Sequence, residues 1–194
     1  MNWLWKGSCW AAAAVLSVTV DTAAAVQLAD GTVYFIQPPR LLEAVATQTA
    51  ASAWGSRYYF TIQVPENSGE PLQKLAIFQH NGSETVRFDL AATLVNQGNY
   101  NDNGPRLTLA GVSQESVSDY AGREKSALVV IFSPPVPPGQ TVTIALHPKH
   151  NPQYPGVYLF GVTAFPPGDR VHPQFLGFGR LHFYRNEDWP VRFW

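Results

Sequence analysis

Cysteine is almost missing from this chain: a single one, Cys9, occurs in 194 residues. It lies before an apolar run at residues 10–20, whereas a lipidated leader places its cysteine directly after such a run, so lipid anchoring is not expected. Beyond the leader no cysteine remains, which removes disulfides, thiolate nucleophiles and zinc–thiolate sites. Small secreted domains of eukaryotes are often stapled by disulfides, so an exported domain without them leans bacterial. Charge of one sign is lacking too. Lys+Arg is 13, Asp+Glu is 14, and the formal net charge is −1. No run of three basic residues follows the leader, and there is no acidic tail, so the clustered basic footprint of a nucleic-acid binder is absent. The apolar run at residues 10–20 falls short of the roughly 20 residues that span a bilayer. No Gly-x-Ser-x-Gly elbow and no glycine-rich phosphate loop leading into a helix occur. No internal repeat and no long low-complexity linker is present.

What is there begins with an export signal. Lys6 supplies the positive start, residues 10–20 the short apolar segment, and Ala23-Ala24-Ala25 the small residues a signal peptidase requires. Residues 1–25 are therefore expected to be removed, leaving residues 26–194 as a single domain outside the cytoplasm: periplasm, cell surface or medium. A chain of this length buries a substantial core without metal or disulfide help. No transmembrane span is expected in it.

The remainder reads as strands. Residues 57–64 (RYYFTIQV) alternate, with Tyr58, Phe60, Ile62 and Val64 on one side and Arg57, Tyr59, Thr61 and Gln63 on the other. Residues 32–37, 72–79, 106–109, 140–147, 156–165 and 178–184 are further strands. Residues 127–132 (ALVVIF) are apolar throughout, as a strand covered on both faces would be. Asn81-Gly82 predicts a hairpin with residues 85–90 as the returning strand. Residues 133–139 (SPPVPPG) form a stiff crossover between sheets, because four prolines lack an N–H. Residues 113–125 are polar and poorly patterned. Residues 41–54 alone have helical character, Leu41, Leu42, Val45 and Ala46 following i, i+3, i+4 spacing, and are expected as a short helix or an irregular turn. About eight strands with turn signals between them, and no helical crossovers, give an all-β class: one antiparallel β-sandwich, Greek-key and immunoglobulin-like, with at most one short helix near residues 41–54. The strands are too short and too few for an outer-membrane barrel.

Candidate chemistry is sparse. His147 and His150 stand three apart, with His172 and His182 downstream, but Pro148 and the lack of cysteines and paired carboxylates make them weak metal candidates. Residues 96–104 (NQGNYNDNG) contain one carboxylate, Asp102, where a calcium loop needs several; an Asx-rich turn is the simpler reading. Gly177 and Gly179 sit in a strand-like context and read as a bulge or close strand contact. Arg180 and His182 share one strand face and form a possible binding surface for an anionic or polar group, with a solvated face as the plain alternative. Trp189, Phe193 and Trp194 end the chain with aromatics where a terminus is usually polar. Trp189 and Trp194 are counted with the binding surface, and docking of this tail on the sandwich is expected.

Several blocks occur together in a recognisable order: residues 155–168 (PGVYLFGVTAFPPG), residues 172–184 (HPQFLGFGRLHFY), residues 57–60 (RYYF) and residues 132–139 (FSPPVPPG). Over essentially the whole mature chain they resemble a family of small exported cyanobacterial proteins labelled domain of unknown function 2808. The resemblance implies an exported protein of a photosynthetic bacterium. It carries no reaction, ligand or catalytic residue. Function is therefore expected to be that of a non-catalytic binding or structural protein of the cell envelope or exterior, partnered by an envelope component or polysaccharide and requiring no cofactor. Two alternatives stand beside it. One is a hydrolase of envelope polysaccharide or peptide, which would need Asp169, Glu187, Asp188 and the histidines to converge. The other is a metal-handling surface built from His147, His150, His172 and His182.

Overall fold

The computed structural model describes residues 31–102 and 104–185. Nine strands are built from the alternating segments: β1 (Arg40–Ala46), β2 (Tyr58–Gln63), β3 (Leu72–Asn81), β4 (Phe88–Gln97), β5 (Leu109–Ser118), β6 (Glu124–Val136), β7 (Thr141–Pro148), β8 (Gly156–Phe165) and β9 (Gln174–Phe183). They form two antiparallel sheets, β1-β2-β7-β4 and β5-β6-β3-β8-β9. Strands distant in sequence are neighbours in both sheets, so the sandwich has Greek-key crossings and is immunoglobulin-like as expected. No helix occurs among the described residues.

The core follows from the alternation. Tyr58, Phe60, Ile62 and Val64 are fully buried on one side of β2, and they meet Tyr158, Phe160 and Val162 from β8 of the facing sheet. Phe60 and Phe160 lie 5.9 Å apart, edge to face at 75°, the arrangement that ring quadrupoles favour. The sandwich is closed along the β1/β9 flank by a glycine. A Cβ at Gly179 would come within 2.7 Å of both Ala44 Cβ and the Phe60 ring. Gly177 has φ +121° and sits at the β8–β9 register shift, so the two glycines divide the roles expected of them, bulge and close contact.

Four local expectations are corrected. Residues 41–46 are not helix or turn but strand β1, with residues 47–57 as the loop after it. A bulge between Leu41 and Glu43 leaves Leu42 exposed, so the inward residues become Leu41, Ala44 and Ala46. That three-then-two spacing imitates a helical period. Asn81-Gly82 does not close a hairpin. β3 pairs with β6 and β8, and β4 pairs with β7 in the other sheet, so residues 82–87 are a crossover. Residues 32–37 form no regular strand, only a parallel bridge from Val33 to Val171. Residues 113–125, weakly patterned, lie largely within the paired strands β5 and β6, whose polar side chains bond one another: Gln114 Nε2 donates to Ser126 Oγ at 2.8 Å and Ser118 Oγ to Glu124 Oε1 at 2.9 Å. The proline stretch does lead from one sheet to the other. Pro134 and Pro135 sit where β6 departs from β3's register, with Gln73 Nε2 donating to the Phe132 carbonyl at 2.7 Å in place of ladder bonds.

A second apolar layer lies on the outside of the five-stranded sheet. Ala76, Phe78, Ala127, Val129 and Phe165 are buried there, beneath Phe175 and Tyr120. Tyr120 belongs to the β5–β6 turn at the edge opposite β9, yet its ring lies 5.0 Å from that of Phe175. The turn therefore folds across the sheet face. Asp119 fastens it by accepting from the Arg123 N–H, the Arg123 Nε and the Ala121 N–H.

Candidate functional site

Functional geometry gathers at one end of the sandwich, where β2, β4 and β8 begin and β3, β7 and β9 end. Two irregular segments meet there, the loop of residues 47–57 and the proline-bracketed loop of residues 149–155. Asn151, fully buried, joins them. Its Nδ2 donates to the carbonyls of Gln48 and Ala50, each at 2.9 Å, and its Oδ1 accepts from the Tyr58 hydroxyl at 3.0 Å. Backbone bonds from Asn151 N to Ala53 O and from Ser52 N to Pro152 O, each 2.8 Å, complete the seam. Ser52 takes φ +62°, unusual for a residue with a Cβ, to make this turn. The Tyr58 hydroxyl is pushed well above its ordinary range, first by burial and then by the nearby Tyr158 and Glu84. It thus remains a neutral donor.

The seam fixes Trp54 in an unusual position. Its side chain is 74% exposed, the most exposed large apolar residue among those described. Its ring stands 5.8 Å from His150, tilted at 55°. Beside them lies a cleft of about 390 Å³ lined by Glu84, Thr85, Val86, Arg87, His150 and Gln153. The crossover after β3 supplies the first four of these. Gln79 holds it by accepting from Val86 N at 2.8 Å and donating to Glu84 O at 2.6 Å. The Glu84 carboxylate accepts from Gln153 N at 2.8 Å, which ties the crossover to the proline-bracketed loop. Arg87 and Gln153 are exposed where they line this cleft.

On the far side of the crossover a second cleft of about 360 Å³ enters between the sheets. Its opening has a structural cause. Between the pairs Asp89–His147 and Leu94–Ala145, β4 spends four residues where β7 spends one, so residues 90–93 peel away from the sheet.

The sequence-derived candidates separate. His150 lines the first cleft, but His147 is strand-paired with Asp89, and the His150 Nδ1 lies 2.7 Å from the Asn151 carbonyl. His172 and Asp169 occupy the β8–β9 loop, a full strand length from His150, so these groups do not converge. Among the described residues no group of three His, Cys, Asp or Glu is placed to hold a metal ion. Asp102 turns into its own loop and accepts from the Asn99 backbone at 2.7 Å and side chain at 3.0 Å, as an Asx-rich turn does. Arg180 and His182 are exposed together on the outer face of β9, with His182 stacked at 18° on Tyr184, and they line neither cleft. Glu187, Asp188, Trp189, Phe193, Trp194 and the leader with Cys9 lie outside the described residues. Sequence reasoning passed over Trp54, Glu84, Arg87 and Gln153. Two signals were available: a tryptophan in an Ala/Ser/Gly loop and a polar stretch bracketed by Pro148, Pro152 and Pro155.

No curated protein matches the sequence. Two solved structures are similar in part. One is the collagen-binding domain from a Staphylococcus aureus adhesin, 11% identical over 66% of this chain and 87% of that one, with a TM-score of 0.32. The other is the cohesin module from a Clostridium perfringens family 33 glycoside hydrolase, 12% identical over 76% of this chain and 98% of that one, also with a TM-score of 0.32. Likeness at that level carries no information on ligand or activity. The family described as Protein of unknown function (DUF2808) matches residues 32–183, and the chain belongs to it.

Proposed function

We propose that this chain is a non-catalytic binding module of the bacterial envelope or exterior, exported by residues 1–25, and that the cleft beside Trp54 takes a segment of polysaccharide. The observation that carries this reading is an exposed indole, on a loop tied down by the Asn151 seam, next to a polar cleft. A sugar ring has an apolar face and a rim of hydroxyls. Trp54 offers a flat apolar surface to the first, and Arg87, Gln153, His150 and Glu84 offer donors and acceptors to the second. The backbone seam through Asn151 holds this arrangement before ligand arrives, which lowers the ordering cost of binding.

Catalysis is not favoured by the same groups. Glycoside cleavage ordinarily uses two carboxyl groups about 5–10 Å apart across the bond. Among the described residues Glu84 is the one carboxylate lining this cleft, and it already accepts a backbone N–H.

The test is co-sedimentation of residues 26–194 with insoluble envelope polysaccharide from the native organism, with released reducing ends assayed in parallel. Saturable retention, lost in Trp54→Ala and without sugar release, supports the module. Retention indifferent to Trp54→Ala, or time-dependent sugar release, refutes it.

A further inference from the structure

The inter-sheet cleft is chemically unlike the glycan cleft beside it. Its floor is the core itself: the buried Ile77, Leu128 and Phe160 lie beneath it, and the half-buried Phe88 and Leu90 give it accessible apolar surface. One wall carries the neutral pair Gln114–Ser126, bonded at 2.8 Å across β5 and β6. The rim carries two cations, Arg87 and Lys149, brought together because the Lys149 N–H donates to the Arg87 carbonyl at 2.9 Å. Both side chains are exposed, and neither has an ion-pair partner among the described residues. Among the described residues no carboxylate lines this cleft. A slot with an apolar floor and two cations at its rim suits an amphiphile with an anionic head.

We propose that this cleft binds a single-chain amphiphile with an anionic head, of the fatty-acid type: the chain enters between the sheets against Phe88 and Leu90, over Leu128 and Phe160, and the carboxylate meets Arg87 and Lys149. The size agrees. About 360 Å³ is near the lower end of the ~300–1,000 Å³ of small-ligand sites, which suits one medium-length chain and not a two-chain lipid. The peeled segment of residues 90–93 is the lip over which the chain enters, and Leu90 is its apolar edge. Two charge-assisted contacts orient the head and discriminate by sign.

The experiment titrates residues 26–194 with dodecanoate, dodecanol and dodecyltrimethylammonium, each below its micellar concentration, by calorimetry. Dodecanoate is expected to bind at one site, about tenfold or more tighter than the cationic chain. Lys149→Glu, an exposed change that leaves the fold intact, removes that preference. Leu90→Trp fills the entrance and abolishes binding of all three chains. Trp54→Ala leaves dodecanoate binding unchanged, while Leu90→Trp leaves polysaccharide retention unchanged, so failure of one site is distinguishable from failure of the other. The proposal is overturned if no chain binds, if anionic and cationic chains bind equally, or if dodecanoate binding survives Lys149→Glu and Leu90→Trp undiminished.

Discussion

Replacing Asn151 by Ala tests the seam that builds the binding end. The side chain is fully buried and makes three hydrogen bonds: two donated to loop carbonyls and one accepted from the Tyr58 hydroxyl. Gln48 is exposed and its carbonyl also accepts from Ser56 Oγ at 3.3 Å, so that acceptor is partly re-satisfied. The Tyr58 hydroxyl has no such relief, because Tyr58 is inaccessible. Two net bonds at about 1 kcal/mol each and one orphaned buried donor at ~1–3 kcal/mol give a loss of about 3–5 kcal/mol. For a domain of this size each kcal/mol lowers Tm by roughly 2–4 °C, so melting should fall by roughly 6–20 °C. Urea denaturation followed by far-ultraviolet dichroism measures it, with the m-value unchanged. Adding Tyr58→Phe to Asn151→Ala removes the orphan and should recover about 1–2 kcal/mol. If Asn151→Ala costs less than about 1 kcal/mol, or if Tyr58→Phe makes it worse by a full additive increment, the seam does not hold the loops as described.

Three further outcomes follow from the same geometry. Gly161→Ala places a Cβ within 2.2 Å of the Phe78 ring and should destabilise by about 1–3 kcal/mol in urea, by overpacking the outer apolar layer. Stability should decline above about pH 10. Burial, then Glu84 and, for Tyr58, Tyr158, raises the pKa of both Tyr58 and Tyr158 in the folded state, so their contribution is fully present below the unfolded value and is lost as pH climbs past it. Urea midpoints from pH 8 to 11 read this, and Tyr58→Phe should flatten the decline. On the acid side, burial pushes Asp119 upward, but bonds from the Arg123 backbone and side chain and from the Ala121 N–H outweigh it and hold the carboxyl below its ordinary range. That contribution is present above about pH 4 and is lost as pH falls below it, and Asp119→Asn should remove the dependence. Amide exchange in the β5–β6 turn, compared between pH 3 and 6, reports it.

Much of the fold was legible because burial on one sheet face imposes a period of two. Tyr58 to Val64 and Thr141 to Leu146 show that period or its filled-in form, and the structure places both in the four-stranded sheet. Misreadings arose where a bulge changes the period, as at Leu42, or where a turn residue serves a longer-range purpose. Asn81-Gly82 has hairpin chemistry, yet a Cβ at Gly82 would lie 2.3 Å from the Tyr158 ring, so the glycine answers to a strand 76 residues away in sequence. Local propensity does not say which sheet the next strand joins. The site was less legible still. Its parts come from residues 54, 84–87 and 150–153, and the bond from Gln153 N to Glu84 crosses 69 residues. His150, a weak metal candidate in the sequence, lines the first cleft with its ring beside Trp54. Arg180 and His182 share one face of the edge strand β9 and line neither cleft.

The most direct measurement of the central claim is calorimetric titration of residues 26–194, wild type and Trp54→Ala, with soluble oligosaccharides prepared from the envelope polysaccharide of the native organism. One saturable site is expected in the wild type, with at least about tenfold weaker binding in Trp54→Ala and oligosaccharide recovered intact. No binding to any fraction, equal affinity for both proteins, or recovery of cleaved oligosaccharide would contradict it.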